Sequence, residues 1–228
     1  KYHKIAEALH LNENSKILEI GCGWGGFSTY AAKKFKTKVD AITISKAQFD
    51  YASNKIQKEG LGEKVSIKFK DYREIDDQYS NIVSIEMFEA VGKKYWEKYF
   101  EIIRNSLLVN GNALLQIITI DEKRSKNYQN QPDFIQQYIF PGGMLPSKTQ
   151  LNNINNKVGL TFKELKSFGK SYAKTISLWN NQFQSSWNQL SDIGFNEKFK
   201  RMWEFYFAYC ETGFLSKSTD VSHFLIKK

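Results

Sequence analysis

Cysteine is scarce in this chain: Cys22 and Cys210 are the only two, and they stand far apart. That spacing excludes a disulfide framework or a cysteine-built zinc site and fits a reducing cytosol. No apolar run approaches the roughly eighteen residues of a membrane span. No signal peptide is legible, and the chain opens on Lys1 rather than on methionine. Histidine is limited to His3, His10 and His223, each outside every motif described below. They read as surface or packing residues, and no metal-ligand spacing is present. Repeats, low-complexity tracts and interdomain linkers are also missing. A chain of 228 residues without them is expected to fold as a single domain, 1–228, with a sizeable core.

What the chain has in excess is positive charge, +9 in all. Basic proteins meet nucleic acid, anionic membrane or anionic substrates. The lysines are scattered rather than gathered into an arm, and most aromatic residues fall at helical spacing, as a core requires. No RNA-binding module is visible. Nucleic acid is therefore set aside as a partner, and an anionic membrane surface is preferred.

Apolar runs alternate with helical patterns, which predicts a mostly parallel sheet with helices on both faces. Strands are expected at Ile17–Ile20, Val39–Ile44, Val65–Phe69, Ile82–Ile85 and Ala113–Ile120. Ser45, with Gln48 three residues on, resembles a capping box for a helix that stops at Gly60. Tyr95–Leu108 reads as an amphipathic helix, and Asn110-Gly111 as the turn after it. Beyond the fifth strand, Asp121–Ser147 is a polar and aromatic insertion. Val158–Phe168 then reads as strand, Ala173–Leu190 and Glu197–Thr212 as aromatic-rich helices, and Val221–Ile226 as a last strand.

The densest signal is Lys16-Ile17-Leu18-Glu19-Ile20-Gly21-Cys22-Gly23-Trp24-Gly25-Gly26, a strand that breaks into glycines before a helix start. Glycine accepts positive φ and lets a ligand approach without meeting a Cβ. A small nucleotide-like ligand is expected at the carboxyl end of the first strand. The spacing of Gly21, Gly23 and Gly26 also fits the dinucleotide fingerprint, and Asp40 stands where an NAD enzyme places its ribose-binding acid. S-adenosylmethionine (SAM) is favoured by Glu19, an acid inside the strand facing the aminoacyl group, and by the crowding of glycine through Gly26. Acids and hydroxyls follow other strand ends: Thr43 and Ser45, Asp71 with Tyr72, and Glu86 with Glu89. In an open α/β sheet such positions converge on one crevice. Asp71 is placed to accept from an adenine amino group, with Tyr72 packing on the ring.

Six segments in this order and spacing resemble the cyclopropane-fatty-acyl-phospholipid synthases and their mycolic acid cyclopropane synthase relatives. They are Leu18–Gly26, Ser84–Gly92, Tyr138–Ser147, Phe168–Ala173, and Phe199–Trp203 ahead of Tyr209–Phe214. The resemblance implies a class I SAM-dependent methyltransferase (Rossmann-like) fold with seven strands and a helical, aromatic insertion after the fifth. Residues 121–148 and 170–216 would form an acyl-substrate cover. It implies methylene transfer to the cis double bond of an unsaturated phospholipid chain, through a carbocation, with bicarbonate as the base. Cofactor residues would be Glu19, Gly21, Cys22, Gly23, Trp24, Gly25, Thr43, Ile44, Ser45, Gln48, Asp71 and Tyr72. Bicarbonate would be held by Glu89, Tyr172, Gln116 and Ile118. Phe88, Tyr138, Phe140, Gly142, Tyr206 and Phe214 would line the acyl site. Cys210 matches a cysteine slot of the family, as catalyst or, preferably, as packing. Similar enzymes forming branched-chain fatty acids or methylating small amines are the alternative. The resemblance further implies a peripheral enzyme at the inner face of the membrane, a homodimer, and a preceding segment with a Tyr-Ser-Cys-type motif that closes over SAM. A chain opening at Lys1-Tyr2-His3-Lys4 is expected to be a fragment without that lid, binding SAM weakly.

Overall fold

The computed structural model describes residues 1–228. Its order is α1 (Tyr2–Ala8), β1 (Lys16–Ile20), α2 (Gly26–Phe35), β2 (Lys38–Thr43), α3 (Lys46–Lys58), β3 (Val65–Phe69), β4 (Tyr79–Ile85), α4 (Trp96–Ser106) and β5 (Leu107–Ile120). There follow α5 (Glu122–Asn130), a π-helical turn at Ile135–Ile139, α6 (Lys148–Lys157), β6 (Thr161–Ser167), α7 (Gly169–Ser185), α8 (Trp187–Asp192), α9 (Glu197–Leu215) and β7 (Thr219–Lys227).

The strands form one seven-stranded sheet in the order β3-β2-β1-β4-β5-β7-β6. β3, β2, β1, β4 and β5 run parallel. β7 runs against β5, since Asp121 N meets Ser218 O at one end and Lys228 Nζ meets Leu107 O at the other. The order reverses between β1 and β4. That switch point is where an open α/β sheet leaves a crevice for a ligand at its carboxyl ends.

The chain divides into two compact units: Lys1–Ile117 with Thr149–Leu165 and His223–Lys228, and Ile118–Lys148 with Lys166–Ser222. The segments expected to cover the substrate, 121–148 and 170–216, fall within the second. In the first, Ile17, Val39, Ala41, Val83 and Leu114 of the central strands are buried against Phe27, Ala31 and Ile5 from the helices. Burying strands on both faces is what selects their near-continuous apolar runs. The second unit has its own core, in which Ala173 and Ile176 of α7 pack with Phe207 and Phe214 of α9 and Val221 of β7.

Three elements depart from the sequence expectation. Asn110-Gly111 is not a turn ahead of the fifth strand but a bulge inside it. β4 advances from Tyr79 to Asn81 while β5 advances from Leu107 to Asn112, and Asn110 takes φ +62°. The same left-handed preference that suits a turn absorbs the extra residues within a ladder. The expected strand Val158–Phe168 starts late, because α6 precedes it and Val158 N still bonds Ile154 O at 3.1 Å. The helix expected from Ala173 begins at Gly169 instead. There Asp220 Oδ1 accepts from Gly169 N at 3.0 Å, and a Cβ on Gly169 would lie 2.7 Å from that oxygen.

Candidate active site

The glycine turn follows from local backbone demands. Gly21, Gly23 and Gly25 take φ +77°, +53° and +73°, and Gly21 N and Cys22 N both donate to Ile42 O at the end of β2, at 3.1 and 3.0 Å. A Cβ on Gly21 would come within 2.8 Å of Met87 Cγ, whereas one on Gly23 would meet nothing within 4 Å. Gly21 is therefore glycine for packing, and Gly23 leaves its backbone open to a ligand. Trp24 is 55 % exposed above the turn, its ring 5.2 Å from Tyr51. α2 starts at Gly26 with no side-chain hydrogen bond at its cap, so its first N–H groups are left for other acceptors, the buried Glu19 carboxyl among them through Ser28 N.

Glu19 lies beneath this turn, 3 % exposed, accepting from Ser28 Oγ of α2. Burial pushes its carboxyl up to about 8, against which the Ser28 bond works only in part. It is thus a neutral, buried support at pH 7 rather than an open acid facing a ligand. Burial, and secondarily Glu19, also pushes the Cys22 thiol up to about 12, which removes it as a nucleophile.

The end of β2 gathers Thr43, Ile44, Ser45 and Gln48. Ser45 Oγ accepts from Gln48 N at 3.4 Å and caps α3, as expected. The Gln48 side chain, however, accepts from Thr43 Oγ1 at 2.8 Å, and Thr43 Oγ1 takes the Ser45 N–H at 3.1 Å. The reciprocal half of the capping box is replaced by a hydroxyl bridge that holds the loop, and Ile44 projects from it at 71 % exposure.

After β3, Asp71 is engaged by Arg73 through its backbone N, Nε and Nη2 at 2.9, 2.9 and 2.7 Å. Those bonds hold its carboxyl below the ordinary range. Tyr72 is buried edge-on against Tyr99, with ring centroids 5.2 Å apart. Its ring is packed, not a free stacking face. Asp40 sits in mid-strand, bound by Lys68 Nζ at 3.0 Å and Tyr79 Oη at 2.9 Å. It does not close the crevice as a ribose-binding acid would, which removes the argument for NAD.

After β4 come Glu86 and Glu89. Gln116, fully buried, donates through Nε2 to Glu86 Oε1, and its Oε1 meets His223 Nε2 at 3.0 Å. In the second unit, Ile118, Tyr172, Tyr206 and Cys210 pack around Phe214 and Phe207. Tyr172 lies 5.6 Å from Phe214, centroid to centroid, and Phe140 lies 6.2 Å from Tyr206. Tyr138 is exposed, as is Gly142 at φ +83°.

Residues 1–224 match the family model described as mycolic acid cyclopropane synthetase. The chain belongs to this family.

Among its relatives, the tuberculostearic acid methyltransferase UfaA1 of Mycobacterium tuberculosis is 36 % identical over 222 residues, covering 97 % of this chain and 52 % of that protein. The cyclopropane-fatty-acyl-phospholipid synthase of Escherichia coli is 34 % identical over 221 residues, covering 97 % and 55 %. The chain thus spans about half the length of the curated relatives it matches. The crystal structure of the mycolic acid cyclopropane synthase CmaA1, complexed with SAH and CTAB, superposes with a TM-score of 0.91 at 26 % identity over 100 % of this chain and 82 % of that one. The fold is that of the class I SAM-dependent methyltransferases, as the sequence implied.

Within this cyclopropane synthetase framework, three expected roles are affected. Phe88 does not line an acyl site: it is 1 % exposed, enclosed by Trp96, Tyr99 and Phe100 at centroid distances of 5.2–5.5 Å. For Cys210 the packing role is favoured over the catalytic one, because burial pushes its thiol up to about 12. Gln116, expected to hold bicarbonate, turns its amide to Glu86 and His223, and an anion placed there would face the Glu86 carboxylate. His223, read from the sequence as a bystander, is 7 % exposed at the centre of this arrangement. Nothing in its local sequence announces it; only the return of β7 alongside β5 brings it there.

Proposed function

We propose that this chain is a SAM-dependent enzyme that adds a one-carbon unit to the cis double bond of an unsaturated phospholipid acyl chain and closes it to a cyclopropane. The observation that carries the reading is the family match over residues 1–224, whose glycine turn keeps an open backbone at Gly23. SAM fits that turn: positive-φ glycines give access, and the start of α2 offers N–H groups to its carboxylate. Gly21, Cys22, Gly23, Trp24 and Gly25 would hold it, with Thr43, Ile44, Ser45 and Gln48 beside them. When bound, SAM supplies an electrophilic methyl group.

An alkene is a weak nucleophile, so the chain's task is to hold the double bond in line and in contact. Methyl transfer to it leaves a carbocation on the acyl chain, which water would trap. Aromatic faces stabilise such a cation through their quadrupoles while excluding water. Tyr172, Tyr206 and Phe214, gathered in the core of the second unit, supply those faces, and Phe140 joins Tyr206. A base then takes a proton from the new methyl, and the electron pair of that C–H bond closes the ring onto the cationic carbon. Gln116 is turned to the Glu86 carboxylate, which argues against its share in holding a bicarbonate base.

The approach to lipid is supported by exposed Tyr138, Phe140, Leu178, Trp179 and Phe205 in the second unit, together with the net charge of +9. Apolar side chains seat in the interface while lysines meet anionic headgroups. No helix is long and apolar enough to cross a membrane. The similarity to a tuberculostearic acid methyltransferase favours a second outcome, a methyl- or methylene-branched chain. Incubation with SAM and vesicles of monounsaturated phospholipid, followed by mass analysis of the fatty acids, tests both. A gain of one methylene that resists mild hydrogenation supports the ring. A gain of one methylene that takes up hydrogen supports a methylene branch, a gain of one methylene and two hydrogens supports a saturated methyl branch, and no gain despite bound SAM overturns the lipid reading.

A further inference from the structure

Glu86, the residue after β4, takes a left-handed conformation, φ +54°. For a residue other than glycine this is uncommon and persists where the surroundings enforce it. Here Glu86 N donates to Gln116 O at 2.8 Å, and Gln116 Nε2 donates to Glu86 Oε1. An ionised carboxylate only accepts. The Gln116 amide must therefore turn its NH2 toward Glu86 and its carbonyl the other way, where it meets His223 Nε2 at 3.0 Å. That carbonyl also only accepts, so His223 carries a proton on Nε2. Gln116 and His223 are buried, while Glu86 is exposed. Two buried side chains thus fix one exposed carboxylate.

The place of that carboxylate follows from register. β1 and β4 are parallel with Ile20 opposite Ser84, so Glu86, two residues on, emerges beside the glycine turn. Met87, its neighbour, packs directly on Gly21.

We propose that Glu86 is a ligand-binding residue that receives the ammonium group at the amino-acid end of SAM, and that Gln116 and His223 are positioning residues that hold it. The inference rests on the SAM reading above. An ammonium brings three donors and a full charge, and a carboxylate offers about four acceptor sites and the opposite charge. A charge-assisted bond to a carboxylate already locked in place forms without ordering a flexible side chain.

Calorimetric titration of the whole chain with two probes tests this. S-adenosylhomocysteine carries the amino-acid end, and methylthioadenosine lacks it. Glu86→Gln is expected to weaken S-adenosylhomocysteine about tenfold or more and to leave methylthioadenosine unchanged, which also shows that the turn remains folded. His223→Ala should give a smaller loss with the same selectivity. His223→Gln, which returns an N–H to the place of Nε2, should recover it. In the unsubstituted chain, the nitrogen-15 shifts of His223 should report a proton on Nε2. Equal weakening of both probes by Glu86→Gln, no weakening of either, or a His223 proton on Nδ1 alone overturns the proposal. A wild-type chain that binds neither probe overturns the SAM reading itself and this inference with it.

Discussion

Glu19 should make the protein lose stability as the pH rises, and replacing it by Gln should abolish that loss. The carboxyl stands at 3 % exposure beneath the glycine turn and is pushed from 4.5 up to about 8 by burial. Between those two values the folded chain keeps a proton that the unfolded chain has released. Stability then falls with rising pH, because the folded state binds more protons. The contribution is intact below about pH 4.5, declines through the window, and is gone above about pH 8. Moving a carboxyl across that interval, at about 1.36 kcal/mol per pH unit, amounts to roughly 5 kcal/mol. Glu19→Gln keeps an oxygen to accept from Ser28 and has no proton to lose. Urea unfolding of both proteins at pH 5, 7 and 9, followed by tryptophan fluorescence, gives the difference directly. The variant should gain steadily on the parent, ending several kcal/mol ahead at pH 9 relative to pH 5. A difference that stays constant across the three pH values would refute the argument, because it would mean that Glu19 titrates alike in both states.

Three further outcomes follow from single contacts. Gly21→Ala forces a side chain into φ +77° and against Met87 Cγ, 2.8 Å from the new Cβ, and should cost about 2 kcal/mol in urea unfolding as well as weakening SAM binding. Phe88→Ala, which empties the space between Trp96, Tyr99 and Phe100, should cost about 3–5 kcal/mol. A change in lipid turnover at unaltered stability would instead return Phe88 to the acyl lining. Cys210→Ala should leave methyl transfer intact, and the native thiol, pushed up to about 12, should resist iodoacetamide at pH 8; rapid labelling with loss of activity would reinstate it as a catalyst.

The order of strands and helices was legible because buried parallel strands need continuous apolar runs and the helices between them need amphipathic ones. β3 falls at Val65–Phe69 as expected, and β1 and β2 end within a residue of expectation. Boundaries failed where one local preference serves two structures. Asn110-Gly111 suits a turn and a bulge equally, and Gly169 opens α7 only because Asp220, fifty-one residues on, stands against it. The glycine turn was legible for a similar reason: positive φ at three alternating positions, 21, 23 and 25, favours glycine at each.

Sequence by itself determined the layered α/β scaffold, the ligand turn after β1 and the family, since each rests on residues close together in the chain or on motifs in fixed order. Tertiary structure alone decided which polar groups meet. Glu86 follows β4, Gln116 lies in β5 and His223 in β7, and their sequence separations of 30 and 107 residues leave no local trace. It also decided that Glu19 is sealed away from water and Cys210 partly so, while Glu86 is exposed. Ionisation and reactivity depend on that exposure, and exposure is a property of the packed molecule rather than of any stretch of chain.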